Sequence, residues 1–307
     1  SFFGGSAWTR DDATGDWYMH LFHEKQPDLN WESEAARAAI YDVMRFWLDK
    51  GVDGFRLDVI AFVSKEQSFA DYPPEHRAQP QYFHANGPRL MEHLSEMRAQ
   101  VYRGADKVAI GEAFGVTFAQ AARLVAEGSG PLDMLIHFDA VRIDRGEGWR
   151  WRPWTLPEFK RTFSDQERLM GRTAWRTLCL SNHDNPRLVS HFGDDRPAWR
   201  VRSAIALATL LMTLKGTPFV YQGDEIGMTN YPFRGIEDFD DVEAKGAWAD
   251  EVETGRASAQ EVLDALLKTS RDHARTPMQW DASPNAGFTM GEPWFHVNPN
   301  YREINAA

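Results

Sequence analysis

An alternation constrains this chain more than any other feature: short apolar runs ending in charge are separated by longer stretches with helical spacing. Ser33 is placed to cap a helix whose apolar residues Ala36, Ile40, Val43, Trp47 and Leu48 share one face, and Gly51 ends it. Val52 to Ile60 then reads as an apolar strand that closes in charge at Asp58. The unit recurs as a helix over 88–102 and a strand over 107–112 ending at Glu112, then a strand over 132–141 with Asp139 near its end. A helix over 157–171 precedes a strand over 176–181, which runs into Asn182-His183-Asp184. A helix over 198–215 closes at Gly216, followed by a strand over 217–221 and the turn Gln222 to Glu225. Residues 1–32 keep no period and read as loop, and the acidic stretch 238–265 reads as a solvated helical excursion.

Strands separated by helices, with no run of hairpins, predict an α/β fold around a parallel sheet. A doubly wound sheet usually carries a glycine-rich phosphate loop after its first strand, and neither G-x-G-x-x-G nor G-x-x-x-x-G-K occurs. A (β/α)8 TIM barrel instead sets functional residues at the C-terminal ends of several strands, which is the distribution of Asp58, Glu112 and Asp184. The barrel is the expected fold.

Composition narrows the chemistry. Lys and Arg number 34 against 45 Asp and Glu, a net charge of −11, and no basic run exists to track a phosphate backbone, so nucleic acid is not an expected partner. The longest apolar helical stretch, Ser203 to Leu214, falls well short of the roughly 18 residues that cross a bilayer, so no membrane partner is expected. The single cysteine, Cys179, reads as a buried thiol. The histidines form no H-x-x-x-H or H-x-H, so no metal site and no cofactor are expected.

Each acid alone has a plain structural use: Asp58 as partner of Arg56, Glu112 and Asp184 as helix or turn caps. Together they suggest glycoside hydrolysis, which needs one carboxylate as nucleophile or base and one carboxylic acid to protonate the leaving oxygen. Arg56 lies two residues before Asp58 on an extended strand, on the same face, and would hold it ionised. Glu112 follows an apolar strand and Gly111, an environment that raises a carboxyl pKa and suits a general acid. His183 offers a hydrogen-bond donor beside Asp184.

These residues carry a resemblance. Gly54-Phe55-Arg56-Leu57-Asp58, Ile110-Gly111-Glu112-Ala113 and Ser181-Asn182-His183-Asp184-Asn185-Pro186-Arg187 resemble successive regions of the α-amylase family of glycoside hydrolases. Gln26-Pro27-Asp28-Leu29-Asn30 and Arg275-Thr276-Pro277-Met278-Gln279-Trp280 resemble marks of its oligo-1,6-glucosidase subfamily, and Tyr221 to Asn230 extends the likeness. The resemblance implies Asp58 as nucleophile, Glu112 as acid/base, and Asp184 as the acid that binds sugar hydroxyls and stabilises the transition state. It implies that Arg56 and His183 orient the nucleophile and sugar, that Arg275 closes the first subsite, and that Val59 favours α-1,6 linkages. The implied activity is a retaining, exo-acting α-glucosidase on short oligosaccharides. An α-1,4-glucosidase, a sucrose isomerase or a trehalose-6-phosphate hydrolase on the same residues is the alternative. A non-catalytic ectodomain like the heavy subunits of amino-acid transporters is an alternative of another class, disfavoured by the intact acids.

The resemblance also implies a fragment. Residues 1–32 match the end of a loop-rich subdomain inserted after the third barrel strand, and 33–307 match roughly strands four to eight. The first strands and a C-terminal β-sandwich are not represented, and a calcium loop of some relatives would lie in the unrepresented N-terminal part. A polypeptide of residues 1–307 is therefore expected to be inactive, and the whole protein to be cytoplasmic. Glu243-Ala244-Lys245-Gly246 and His273 depart from the subfamily pattern, which bears on acceptor preference. Trp149, Trp151 and Trp154 are candidate acceptor platforms, with packing the plainer expectation.

Overall fold

The computed structural model describes residues 1–3, 5–71, 73, 79–102, 106–146 and 149–307. The chain forms two compact units, Ser1–Ala140 with Thr155–Thr177, and Val141–Trp154 with Leu178–Ala307.

The first unit opens with a small antiparallel hairpin, β1 (Trp8–Arg10) and β2 (Trp17–Met19), inside the stretch expected to be loop. Helix α1 (Glu34–Asp49) starts where expected, with the Ser33 hydroxyl accepting the Ala36 N–H, and Gly51 follows it at φ 96°. Its buried face is the expected one only in part: Ile40 and Leu48 pack against the core, but the centre of that face is rotated. Arg37, Tyr41 and Met44 point inward, whereas Val43 and Trp47 are exposed. The rotation has a polar cause: Arg37 donates to Glu96 at 2.8 Å and to the Trp31 carbonyl at 2.7 Å, fixing which side of α1 faces α3 (Leu90–Val101). A short helix, α2 (Gln81–His84), precedes α3.

Three parallel strands form the centre of this unit in the order β3 (Gly54–Leu57), β4 (Val108–Glu112), β5 (Met134–Ile136). The register pairs Leu57 with Gly111 and Glu112 with Ile136, so Asp58 and Glu112 leave neighbouring strands at the same level. All three strands are shorter than the apolar runs suggested, because the chain turns at once into irregular segments that bury their own apolar residues, Ile60 to Phe62 among them. Helices α4 (Phe118–Leu124) and α5 (Leu156–Met170) pack together, and each starts with a full capping box, on Thr117 and Thr155. The core holds fully buried Leu94, Met97, Leu135 and Met170, each contributing about 1.5–3 kcal/mol of burial.

In the second unit β6 (Thr177–Cys179), whose first residue belongs to the first unit, pairs with β7 (Thr217–Phe219). Helix α6 (Leu188–Phe192) packs on α7 (Arg200–Thr213). The acidic excursion becomes α8 (Val242–Glu251) and α9 (Ala259–Thr269), and it is not merely solvated, since Ala244, Val262 and Leu266 join Phe233 and Phe239 in a core of their own. The alternation of strand and helix agrees with the α/β expectation. No described helix is long and apolar enough to cross a membrane.

Candidate active site

In the first unit the side chains at the C-terminal ends of β3 and β4 meet. Arg56, on β3, donates from Nη1 to Asp58 and from Nη2 to Glu112, so one guanidinium bridges both carboxyls. The two acids stand in opposite environments. The Asp58 side chain is 69% exposed, that of Glu112 only 5%. Burial pushes the Glu112 carboxyl up to about 7; Arg56 and a backbone N–H oppose that rise, and the neighbouring Asp58 carboxyl adds to it. A carboxyl poised there is protonated for a large part of the time near neutrality, as a general acid must be. Gly111 makes the burial possible, since a Cβ at this position would stand 2.7–2.9 Å from Leu135, Leu132 and Ile60 side chains.

Val59 sits directly after Asp58 with φ 35° and ψ 41°, left-handed, and its N–H donates to Glu112 Oε2 at 3.0 Å. A β-branched residue in that region is an outlier. The expectation for Val59 concerned its side chain; the structure adds a main-chain contact that no sequence signal announced. Asp28, in the Gln26–Asn30 motif, accepts the Leu21 N–H at 2.8 Å and pairs with Lys65, so this motif organises a loop.

In the second unit Asp184 is the centre of a charge network. His183 Nε2 lies 3.2 Å from its Oδ2, Arg275 Nη2 lies 2.8 Å from Oδ1, and Arg271 Nη1 lies 3.4 Å from Oδ1. Burial works against ionisation of Asp184, but the hydrogen bond and charge of His183 and the charges of Arg271 and Arg275 prevail and hold it well below the usual carboxylate range. Unlike Glu112, it stays an anion. Arg275 also donates to the His183 carbonyl at 3.2 Å, tying the two motifs together.

Arg271 and Asp241 extend this network beyond the residues singled out from the sequence. Asp241 is buried, takes a two-pronged contact from Arg271, and caps α8 by accepting the Glu243 N–H. Glu243 lies 3.5 Å from Arg271 and 3.6 Å from Arg145. The four-residue spacing of Arg271 and Arg275 was the only visible signal, for Asp241 lies 30 residues from Arg271 in sequence.

Other candidates turn out to be structural. His273 is fully buried: its Nδ1 accepts the Tyr231 N–H at 3.1 Å, its Nε2 lies 3.0 Å from the Leu267 carbonyl, and burial lowers its pKa to about 3. Two backbone partners and a neutral ring make it a clamp. Trp149 packs on the core of α8 and α9, Trp154 lies against Phe192, and Lys268 lies over Trp151 at 3.5 Å, contacts in keeping with the plainer expectation of packing. Gln279, in the Arg275–Trp280 motif, is buried and donates to the Ile304 carbonyl at 2.5 Å. Arg187 is fully buried and donates to the carbonyls of Gln222, His273 and Thr276 at 2.7, 3.1 and 3.2 Å. Among the described residues, no group of three or more His, Cys, Asp or Glu could hold a metal ion.

The alpha-amylase catalytic domain matches residues 1–307 of this chain. The chain belongs to the alpha-amylase family of glycoside hydrolases. Its fold is that of the family's catalytic domain, a TIM barrel. Oligo-1,6-glucosidase of Parageobacillus thermoglucosidasius is 46% identical over 99% of this chain and 55% of its own length. Among solved structures, trehalulose synthase of Pseudomonas mesoacidophila MX-45 is 51% identical with a TM-score of 0.96, and isomaltulose synthase of Erwinia rhapontici NX5 is 48% identical with a TM-score of 0.97. Both alignments cover 100% of this alpha-amylase-family chain and 55% of the other. The chain therefore spans about half the length of these relatives.

Proposed function

We propose that the whole protein is a retaining, exo-acting α-glucosidase that hydrolyses short α-glucosides, with α-1,6 linkages preferred. The observation that carries this reading is the pair in the first unit: an exposed Asp58 and a buried, protonatable Glu112 bridged by Arg56. In retaining glycosidases the two carboxyl groups stand about 5–5.5 Å apart, a gap one guanidinium can bridge, and they divide the work as nucleophile and acid/base. Asp58 attacks the anomeric carbon and forms a glucosyl ester while Glu112 protonates the departing oxygen. Glu112 then takes a proton from water, which releases glucose with its configuration retained. Asp184, kept anionic by His183, Arg271 and Arg275, is suited to bind sugar hydroxyls and to stabilise positive charge on the ring. Arg275 and His183 are proposed as substrate-binding groups and Val59 as a determinant of linkage. The chemistry asks for no cofactor, and the identity with a relative named oligo-1,6-glucosidase supports the linkage.

Purified natural protein should release α-glucose from isomaltose, with kcat/KM above that for maltose, and Asp58→Asn should abolish release. Faster cleavage of maltose would overturn the α-1,6 preference. Inverted product would overturn the mechanism.

The identities to trehalulose and isomaltulose synthases favour a second reading, sucrose isomerisation, in which the released sugar rather than water attacks the glucosyl ester. Incubation with sucrose separates the two: free glucose and fructose support hydrolysis, and an isomeric disaccharide supports isomerisation.

A further inference from the structure

We propose that the backbone N–H of Val59, presented by a left-handed main chain, is a positioning group for the carboxyl of Glu112. The inference deepens the assignment of Glu112 as acid/base and rests on it. Among the described residues, Arg56 donates to Glu112 Oε1 and the Val59 N–H donates to Oε2 at 3.0 Å. The charged groups facing Glu112 are Arg56 and Asp58, and the Arg56 guanidinium is shared between the two acids. The Val59 contact belongs to Glu112 alone. A main-chain dipole favours the ionised carboxyl but only mildly, whereas a second cation would lock it as the anion.

The conformation that makes this contact costs free energy. Left-handed backbone crowds any Cβ against the carbonyl oxygen, and branching worsens it. Such strain persists only where the surroundings enforce it, and it gathers at functional positions. The enforcement here is visible. The Val59 side chain packs on the core of the first unit, its carbonyl accepts the Phe62 N–H at 2.9 Å, and Ile60, Ala61 and Phe62 are all buried. The chain thus reverses directly after Asp58, and the reversal aims the Val59 N–H back across β3 at β4.

The side chain of Val59 and its amide therefore have separable duties, linkage preference and acid placement. Replacing residue 59 by 2-hydroxyisovaleric acid in the natural full-length protein turns the Asp58–Val59 amide into an ester, which puts an oxygen in place of the N–H and keeps the side chain. The basic limb of the kcat/KM profile for isomaltose should move up by roughly one pH unit, because a hydrogen bond to the ionised form is lost. The ratio of isomaltose to maltose kcat/KM should stay within about twofold, since the side chain is unchanged. An unmoved limb overturns the proposal. Should the ester protein fail to fold, wild-type enzyme labelled with 15N-valine decides instead. The Val59 amide resonance should titrate with the midpoint of the basic limb, and a resonance indifferent to pH across that range overturns the proposal. Glu112→Ala tests the underlying assignment separately: isomaltose cleavage should be lost while an activated aryl α-glucoside is still turned over and rescued by azide. Absence of rescue would remove Glu112 from the acid/base role, whatever the ester shows.

Discussion

Asp241 offers a sharp test of the charge network in the second unit. Its side chain is 2% exposed, pairs with Arg271, lies 3.8 Å from Arg275 and caps α8. Asp241→Asn keeps an oxygen for the Glu243 N–H but removes the charge, whereas Asp241→Ala removes both. Breaking a buried ion pair by deleting one partner costs about 3–5 kcal/mol. Arg271 retains Asp184 at 3.4 Å and Glu243 at 3.5 Å, so the lower end applies, and Asp241→Asn should cost about 3 kcal/mol. Loss of the cap adds about 1 kcal/mol, which puts Asp241→Ala near about 4 kcal/mol. Urea denaturation at pH 7, following far-UV circular dichroism, reads both numbers provided the slope with denaturant is unchanged. A double-mutant cycle with Arg271→Met isolates the pair, with a coupling of about 1.5 kcal/mol or more expected for groups in contact. Equal costs for Asn and Ala would refute the capping argument. A cost below about 1 kcal/mol for Asn would refute the claim that this pair is held out of water.

Further expectations follow from the same geometry. Because the folded state raises Glu112 from 4.5 to about 7, folding favours its protonated form, so its contribution is fully present below pH 4.5 and is lost as pH rises through 7. The loss is at most roughly 3 kcal/mol, and Glu112→Gln should flatten it, as urea midpoints between pH 4.5 and 7.5 would show. Asp184, lowered by its partners, behaves oppositely: its contribution holds above the ordinary carboxylate range and disappears only on acidification, so Asp184→Asn should reduce acid sensitivity. Arg187→Lys should destabilise by about 3 kcal/mol or more, since a point charge cannot serve the Gln222, His273 and Thr276 carbonyls together; a thermal midpoint within a degree of wild type would contradict this.

Much of the first unit was legible because it depends on local signals. Ser33 as a cap, the apolar runs at β3 and β4, and Arg56 on the same side as Asp58 all follow from spacing along one segment. The raised Glu112 was legible from Gly111 and an apolar strand. The inward face of α1 was legible only in part: Ile40 and Leu48 pack as expected, but Arg37 turns the helix through a partner 59 residues away. Asp241 was not legible, since its role depends on Arg271 returning to it after the whole of α8 and α9, 30 residues on. His273 misled for a related reason: a histidine beside a catalytic motif says nothing of burial, and of its two backbone partners one is in the last turn of the preceding helix α9 and the other lies 42 residues away. The left-handed Val59 is invisible in a sequence that offers a strand-forming residue where the backbone leaves the strand.

Arg187 has a consequence for how such a chain can drift. Three of the oxygens it grips, at 222, 273 and 276, are main-chain carbonyls, which every residue type supplies, and a fourth is the Thr276 hydroxyl at 3.2 Å. A substitution at 222 leaves its carbonyl in place, while the arginine itself has no replacement of equal reach and fork. The segments carrying Asp184 and Arg275, already joined by the contacts of Arg275 to Asp184 and to the His183 carbonyl, thus have a second fastening whose one irreplaceable part is the buried fork of Arg187.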